Sequence, residues 1–164
     1  MDKTLLFFDL DGTIAANDEF NHCVVSERNL EALELLKDKD CFLVACTGRQ
    51  AVFVERLLPG VFDAVIANCG NYILCGDKVI FRNSIPLRYL KEFKDIFKRN
   101  RITSAAVGII DVYVLYYEEA DLDRIVSNYD PGCRIHYVED IDDKEVFIFD
   151  LFFHNPEEYL RIRQ

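Results

Sequence analysis

Unbroken apolar runs alternate with helical spacing over the first half of the chain. Leu5-Leu6-Phe7-Phe8 is the first run and Cys41-Phe42-Leu43-Val44-Ala45-Cys46 the second, and 61–67, apolar but for Asp63, reads as a third strand. Runs of this length without polar alternation are expected for strands buried on both faces, as in a parallel sheet covered by helices. Between them, Ser26 is placed to cap a helix over 27–37 whose Leu30, Leu33 and Leu36 repeat at helical spacing. A second helix is expected over 49–58, stopped by Pro59-Gly60. Residues 15–25 read as a short polar loop. The order β-α-β-α-β calls for parallel strands joined by right-handed crossovers, so the core is expected to hold three parallel strands with one open edge.

From residue 71 the pattern changes. Residues 72–81 form two short apolar runs around Gly76-Asp77, the signature of a hairpin. A helix follows Ser84 and Pro86, carrying Leu90, Phe93 and Phe97 on one face. Strand-like segments at 105–117, 133–138 and 145–153 surround a short helix at 121–129, and Asn155-Pro156-Glu157-Glu158 opens a last helix. The fold class expected is α/β: a partial Rossmann-like parallel core over 1–80, followed by a small α+β unit over 81–164 with an antiparallel sheet.

The chemistry is concentrated where the first run ends. Asp9 and Asp11 stand at the carboxyl end of a strand, where open α/β sheets bind ligands, and positions i and i+2 of an extended segment point the same way. Two such carboxylates repel unless a cation screens them, and Mg2+, which takes oxygen ligands and keeps several waters, is the natural one. One aspartate can then attack phosphorus while the other moves the proton. Gly12 permits a tight turn and Thr13 offers a hydroxyl. The plainer alternative is a strand end that opens an Asx turn. The second run ends likewise in Thr47-Gly48-Arg49, where a hydroxyl and backbone amides can hold phosphate oxygens or merely cap a helix.

Composition narrows the classes. Of the 164 residues 51% are apolar, enough for a sizeable core, and the net charge of −10 argues against nucleic acid as a partner. The first residues form no signal peptide and no run reaches membrane-spanning length, so a cytoplasmic, non-membrane protein is expected. The six cysteines contain no C-x-x-C pair and read as reduced core thiols. His22, His136 and His154 are scattered singly, as structural or surface residues. The acidic run Glu139, Asp140, Asp142, Asp143 reads as a solvated loop rather than a metal site, and Asp150 is expected on the open face of its sheet rather than facing a substrate cleft.

Asp9-Leu10-Asp11-Gly12-Thr13 matches the first motif of the haloacid dehalogenase (HAD) superfamily. With the short loop after Thr13, the run 25–33, Thr47-Gly48-Arg49, and Asn68-Cys69-Gly70-Asn71-Tyr72-Ile73 entering a hairpin, the chain resembles the Cof-type sugar phosphatases, which carry a C2-type cap after the third core strand. The resemblance implies that Asp9 is the nucleophile and that Asp11 is the acid/base and gives its backbone carbonyl to Mg2+. Asp9 and Asp11 would thus be both catalytic and metal-binding, with Thr47, Gly48, Gly12 and Leu10 at the phosphate. The implied substrate is a small phosphorylated metabolite, probed by a cap that supplies specificity.

The third motif with its lysine and the fourth with its Gly-Asp segment have no counterpart up to Gln164, and Asp63, at the start of its strand, is no substitute. The expectation is an incomplete C2-type cap and half of a phosphate site, from a short natural form or a truncated product. A second copy of the chain hiding the open core edge is one arrangement consistent with it. Three functions stay open: a Mg-dependent phosphatase working through an aspartyl-phosphate, a weakly active or inactive fragment that binds metal, phosphate or a protein, and a phosphomutase.

Overall fold

The computed structural model describes residues 4–18, 23–116, 118–129 and 132–163. It divides into two compact units, Met1–Asn83 and Ser84–Gln164.

In the first unit, β1 (Leu5–Asp9) leads into a small antiparallel hairpin of β2 (Ala15–Asn17) and β3 (Cys23–Val25). Next come α1 (Glu27–Asp38), β4 (Phe42–Cys46), α2 (Ala51–Leu57), β5 (Ala64–Ala67), β6 (Tyr72–Cys75) and β7 (Lys78–Arg82). β1 and β5 both run parallel to β4, while β6 and β7 add antiparallel, giving the order β1-β4-β5-β6-β7. Parallel strands bring their carboxyl ends to one edge, so Asp9, Cys46 and Ala67 end side by side. Ser26 caps α1 as the sequence indicates, its side chain accepting the Asn29 N–H at 3.2 Å. Asp63 ties the opposite edge: its carboxylate accepts the Leu43 N–H at 2.8 Å, and its own N–H donates to the Leu43 carbonyl.

Three expectations are corrected here. Residues 15–25 are not a plain loop, because Ala15 pairs with Val25 and Asn17 with Cys23; strands of three residues are too short for their alternation to register. The core sheet has five strands rather than three, since the 72–81 hairpin extends it. β1 is not buried on both faces either. It is an edge strand, and on one face Leu5 and Phe7 are 56% and 60% exposed, whereas central β4 buries Leu43, Val44 and Ala45.

The second unit comprises α3 (Leu87–Asn100), β8 (Thr103–Val107), β9 (Asp111–Val114), α4 (Leu122–Asn128), β10 (Arg134–Tyr137), β11 (Ile148–Phe152) and α5 (Pro156–Ile162). Its sheet, β10-β9-β8-β11, is mixed rather than antiparallel, because the crossover through α4 returns β10 parallel to β9. The segment 105–117 breaks in two at Gly108, whose N–H donates to the Asp111 carbonyl at 2.8 Å. A Cβ there would lie 3.2 Å from the carbonyls of both Asp111 and Glu145, so a larger residue would crowd the turn. One sheet face packs Ala105, Val107, Val112 and Val114 against Ile125 of α4; the other sets Ala106 against Leu90 of α3, with Ile141 and Val146.

Polar side chains pin these layers. Asp150 lies not on an open face but on the face covered by α4, where the Tyr129 hydroxyl donates to it at 2.6 Å. Burial first, then the charge and hydrogen bond of Asp150, push the Tyr129 phenol far above its ordinary range. Above about pH 10 the unfolded chain therefore loses this proton while the folded chain keeps it, and stability falls as pH rises. Tyr129→Phe is expected to cost about 1–3 kcal/mol at neutral pH and to flatten that alkaline decline; urea midpoints from pH 7 to 11 check both.

In the acidic run, Lys94 donates to Asp140 and Asp142 at 2.9 Å each, which ties the loop to α3. His136 pairs with Asp111 at 2.8 Å, His154 approaches buried Asp121 at 3.3 Å, and His22 lies outside the described residues. All six cysteines are free thiols. Among the described residues no helix is long and apolar enough to cross a membrane.

Candidate active site

The site is built on the carboxyl ends of β1, β4 and β5. β1 places Asp9 beside Cys46 in register, hence one residue before Thr47. The Asp9 carboxylate is exposed and accepts a hydrogen bond from the Thr13 hydroxyl at 3.2 Å. Leu10 then turns inward with 0% exposure, and its carbonyl accepts the N–H groups of Thr13, Ile14 and Ala15 at 3.1, 3.1 and 2.9 Å. Gly12 sits at φ +79°, a conformation costly for other residues, and its N–H is engaged by the Ala15 carbonyl at 2.8 Å. Leu10 and Gly12 thus shape the turn that presents the two aspartates. Of the two, Leu10 keeps its side chain wholly in the core.

Asp11 does not stand alone. Arg49 grips its carboxylate with both arms, Nη2 at 2.7 Å and Nε at 3.0 Å, while the guanidinium lies 4.3 Å from the centre of the Phe53 ring. Thr47 is buried, and its hydroxyl oxygen accepts the Arg49 N–H at 3.1 Å, which leaves its proton to be donated elsewhere. Gly48 is packed closely, since a Cβ there would meet the Cys69 sulfur at 3.3 Å.

The third strand end is a strained one. Asn68, Cys69 and Gly70 have φ of 48°, 54° and 89°, three successive left-handed residues of which only one is glycine. This bend is what lets the Asn68 N–H reach the Arg49 carbonyl at 2.9 Å and the Cys69 N–H reach the Thr47 carbonyl at 3.2 Å. The Asn68 side chain is buried, with neither amide atom hydrogen-bonded among the described residues.

The structure therefore brings Asp9, Asp11 and Thr47 to one edge and adds two residues that the sequence did not single out. Arg49 was visible only as the third member of Thr47-Gly48-Arg49, at the start of an expected helix; α2 begins at Ala51 instead. Asn68 was visible only as the first residue of Asn68-Cys69-Gly70-Asn71-Tyr72-Ile73, with no role of its own. Burial, and secondly the charge of Asp9, push the Cys46 thiol up, which keeps it protonated and unsuited to nucleophilic work.

The donors suit Mg2+ by chemistry: an exposed carboxylate on Asp9 and, because Arg49 occupies the Asp11 side chain, the backbone carbonyl of Asp11. Among the described residues no group of three or more His, Cys, Asp or Glu is placed to hold a metal. Most of an octahedron would thus fall to water and substrate oxygens.

Comparison with known proteins is consistent with this architecture. No protein of curated description matches the sequence. Among solved structures, a HAD subclass IIB sugar phosphatase superposes with a TM-score of 0.73 at 23% identity, over 98% of this chain and 62% of the other. A HAD-superfamily phosphatase from Bacteroides thetaiotaomicron gives 0.77 at 21%, over 98% and 59%. A protein from Thermotoga maritima gives 0.72 at 23%, over 98% and 60%. The chain therefore spans less than two thirds of the length of these structures and shares their fold over nearly all of its own. The family model of haloacid dehalogenase-like hydrolases matches residues 6–164, and the chain accordingly belongs to the haloacid dehalogenase-like hydrolase family.

Proposed function

We propose that the chain is a Mg-dependent phosphohydrolase acting on a small phosphorylated metabolite, a sugar phosphate being the leading class. The observation that carries this is the exposed Asp9 carboxylate at the carboxyl end of β1, next to an Asp11 whose orientation is fixed.

In the first half-reaction an Asp9 carboxylate oxygen attacks phosphorus. The bond from phosphorus to the ester oxygen breaks, and that oxygen leaves as an alcohol with a proton from Asp11. In the second, Asp11 takes a proton from water, the water oxygen attacks phosphorus, and the P–O bond to Asp9 breaks with its electrons returning to the carboxylate. The proton gained in the second step is the one given in the next first step. Thr47 is assigned to the phosphoryl oxygens, to which its hydroxyl proton is free to donate. Gly48 and the turn around Leu10 and Gly12 supply backbone at the same place. Bound Mg2+ would contribute neutralisation of the charge gathered between the carboxylates and the phosphate.

In this assignment residues 1–80 are the catalytic core and 81–164 the cap. One observation favours a second reading, that this stretch is a weakly active piece of the machinery: it covers only 59–62% of the length of the phosphatase structures it resembles. Phosphate release from a sugar phosphate and from an aryl phosphate, with and without Mg2+, separates the two. Turnover that disappears on chelation is expected. Absent turnover, restored by adding the remaining part of such a phosphatase, would favour the fragment.

A further inference from the structure

We infer that Arg49 is the positioning residue of this site, holding the Asp11 carboxylate in the rotamer from which it takes the proton of the water that releases phosphate from Asp9. The inference rests on the phosphatase assignment and adds to it a residue that acts through Asp11.

Arg49 joins all three strand ends at once. Its side chain holds the loop after β1 through Asp11, its N–H donates to the Thr47 hydroxyl oxygen after β4, and its carbonyl accepts the Asn68 N–H after β5. With both backbone groups fixed and the guanidinium stacked on Phe53, little freedom is left for the pairing to remove. As a source of stability the pair is weak, because the two side chains are 30% and 47% exposed, and such pairs are worth about 0–1 kcal/mol. As a source of direction it is strong. A two-armed bond fixes a carboxylate in a plane and a rotamer, and misplacing a reacting group by about 1 Å can cost about 100-fold in rate.

The consequence falls unequally on the two half-reactions. With a substrate whose leaving group needs no proton, such as dinitrophenyl phosphate, transfer to Asp9 proceeds without Asp11. Hydrolysis of the phosphoenzyme always needs the positioned base.

The test uses the 164-residue chain with Mg2+ and dinitrophenyl phosphate, and compares wild type, Arg49→Gln and Arg49→Lys. The wild type is expected to release dinitrophenolate linearly. Arg49→Gln is expected to show a stoichiometric burst, a steady rate about 10–100-fold lower, a KM that falls along with that rate because the phosphoenzyme accumulates, and a phosphorylated species by intact mass. Arg49→Lys should not restore the rate, since an ammonium cannot make the two-armed contact. Loss of rate with a risen KM and no burst would mean that Arg49 binds the phosphate instead and would overturn the inference, as would an unchanged rate.

The 15N resonance of Arg49 Nε, read in wild type and Asp11→Asn, gives an arm independent of turnover. A resonance that Asp11→Asn leaves unmoved overturns the positioning role whatever the kinetics show. A wild type without turnover in which that resonance does move overturns the phosphatase assignment, while the pairing itself stands.

Discussion

Asp9→Asn is expected to abolish phosphate release, lowering turnover at least about a thousand-fold, equivalent to about 4 kcal/mol of transition-state stabilisation. Asparagine has the shape of aspartate, and its carbonyl oxygen can still accept the Thr13 hydroxyl that Asp9 accepts at 3.2 Å. It lacks the negative oxygen that must attack phosphorus, and no phosphoenzyme can form. Because Asp9 is exposed, the fold should be unchanged within about 0.5 kcal/mol, so a loss of activity cannot be mistaken for unfolding. Cys46 cannot take over, because burial and the neighbouring carboxylate keep its thiol protonated. Thermal melts beside phosphate release for both proteins make the measurement. Equal turnover in wild type and Asp9→Asn would remove Asp9 as nucleophile.

The parts of this arrangement legible in the sequence are those set by local patterns. Unbroken apolar runs marked β1, β4 and β5, and the break into Asp9 and Asp11 marked the strand end where the site lies. What a run of apolar residues does not specify is what covers it. Leu5 and Phe7 read like Leu43 and Val44, yet the first pair is exposed on an edge strand and the second buried in the sheet centre. The β2–β3 hairpin was illegible because each strand has three residues, too few for a period of two to be counted. Asp150 looked like a residue of an open face because its partner, the Tyr129 hydroxyl, lies 21 positions away. The pairing of Arg49 with Asp11 spans 38 positions and depends on the register of β1 against β4, which no single-chain pattern encodes. Asn68 was visible only within the segment entering the hairpin; its left-handed backbone, which asparagine tolerates better than most residues, is not announced by the sequence.

Leu10→Ala is expected to have the largest effect on stability near the site. The motif places Leu10 among the phosphate-binding residues, but its side chain is wholly buried between two aspartates that face the solvent edge. Truncating such a leucine removes its transfer free energy and leaves a cavity, a loss of about 2–5 kcal/mol. With a urea m-value of about 1–3 kcal/mol/M, the unfolding midpoint should fall by about 1–2 M with an unchanged slope. The Leu10 carbonyl also gathers the amides of Thr13, Ile14 and Ala15, so collapse around the cavity shifts the turn that sets Asp9 and Asp11. Even where the variant is folded, turnover should therefore fall by about 100-fold. Leu10→Met, similar in volume and free of any new polar group, should cost less than about 1.5 kcal/mol and leave turnover nearly intact. If the alanine variant instead kept full stability while losing phosphate binding, the leucine would be a contact to substrate and not the anchor that holds the two carboxylates apart.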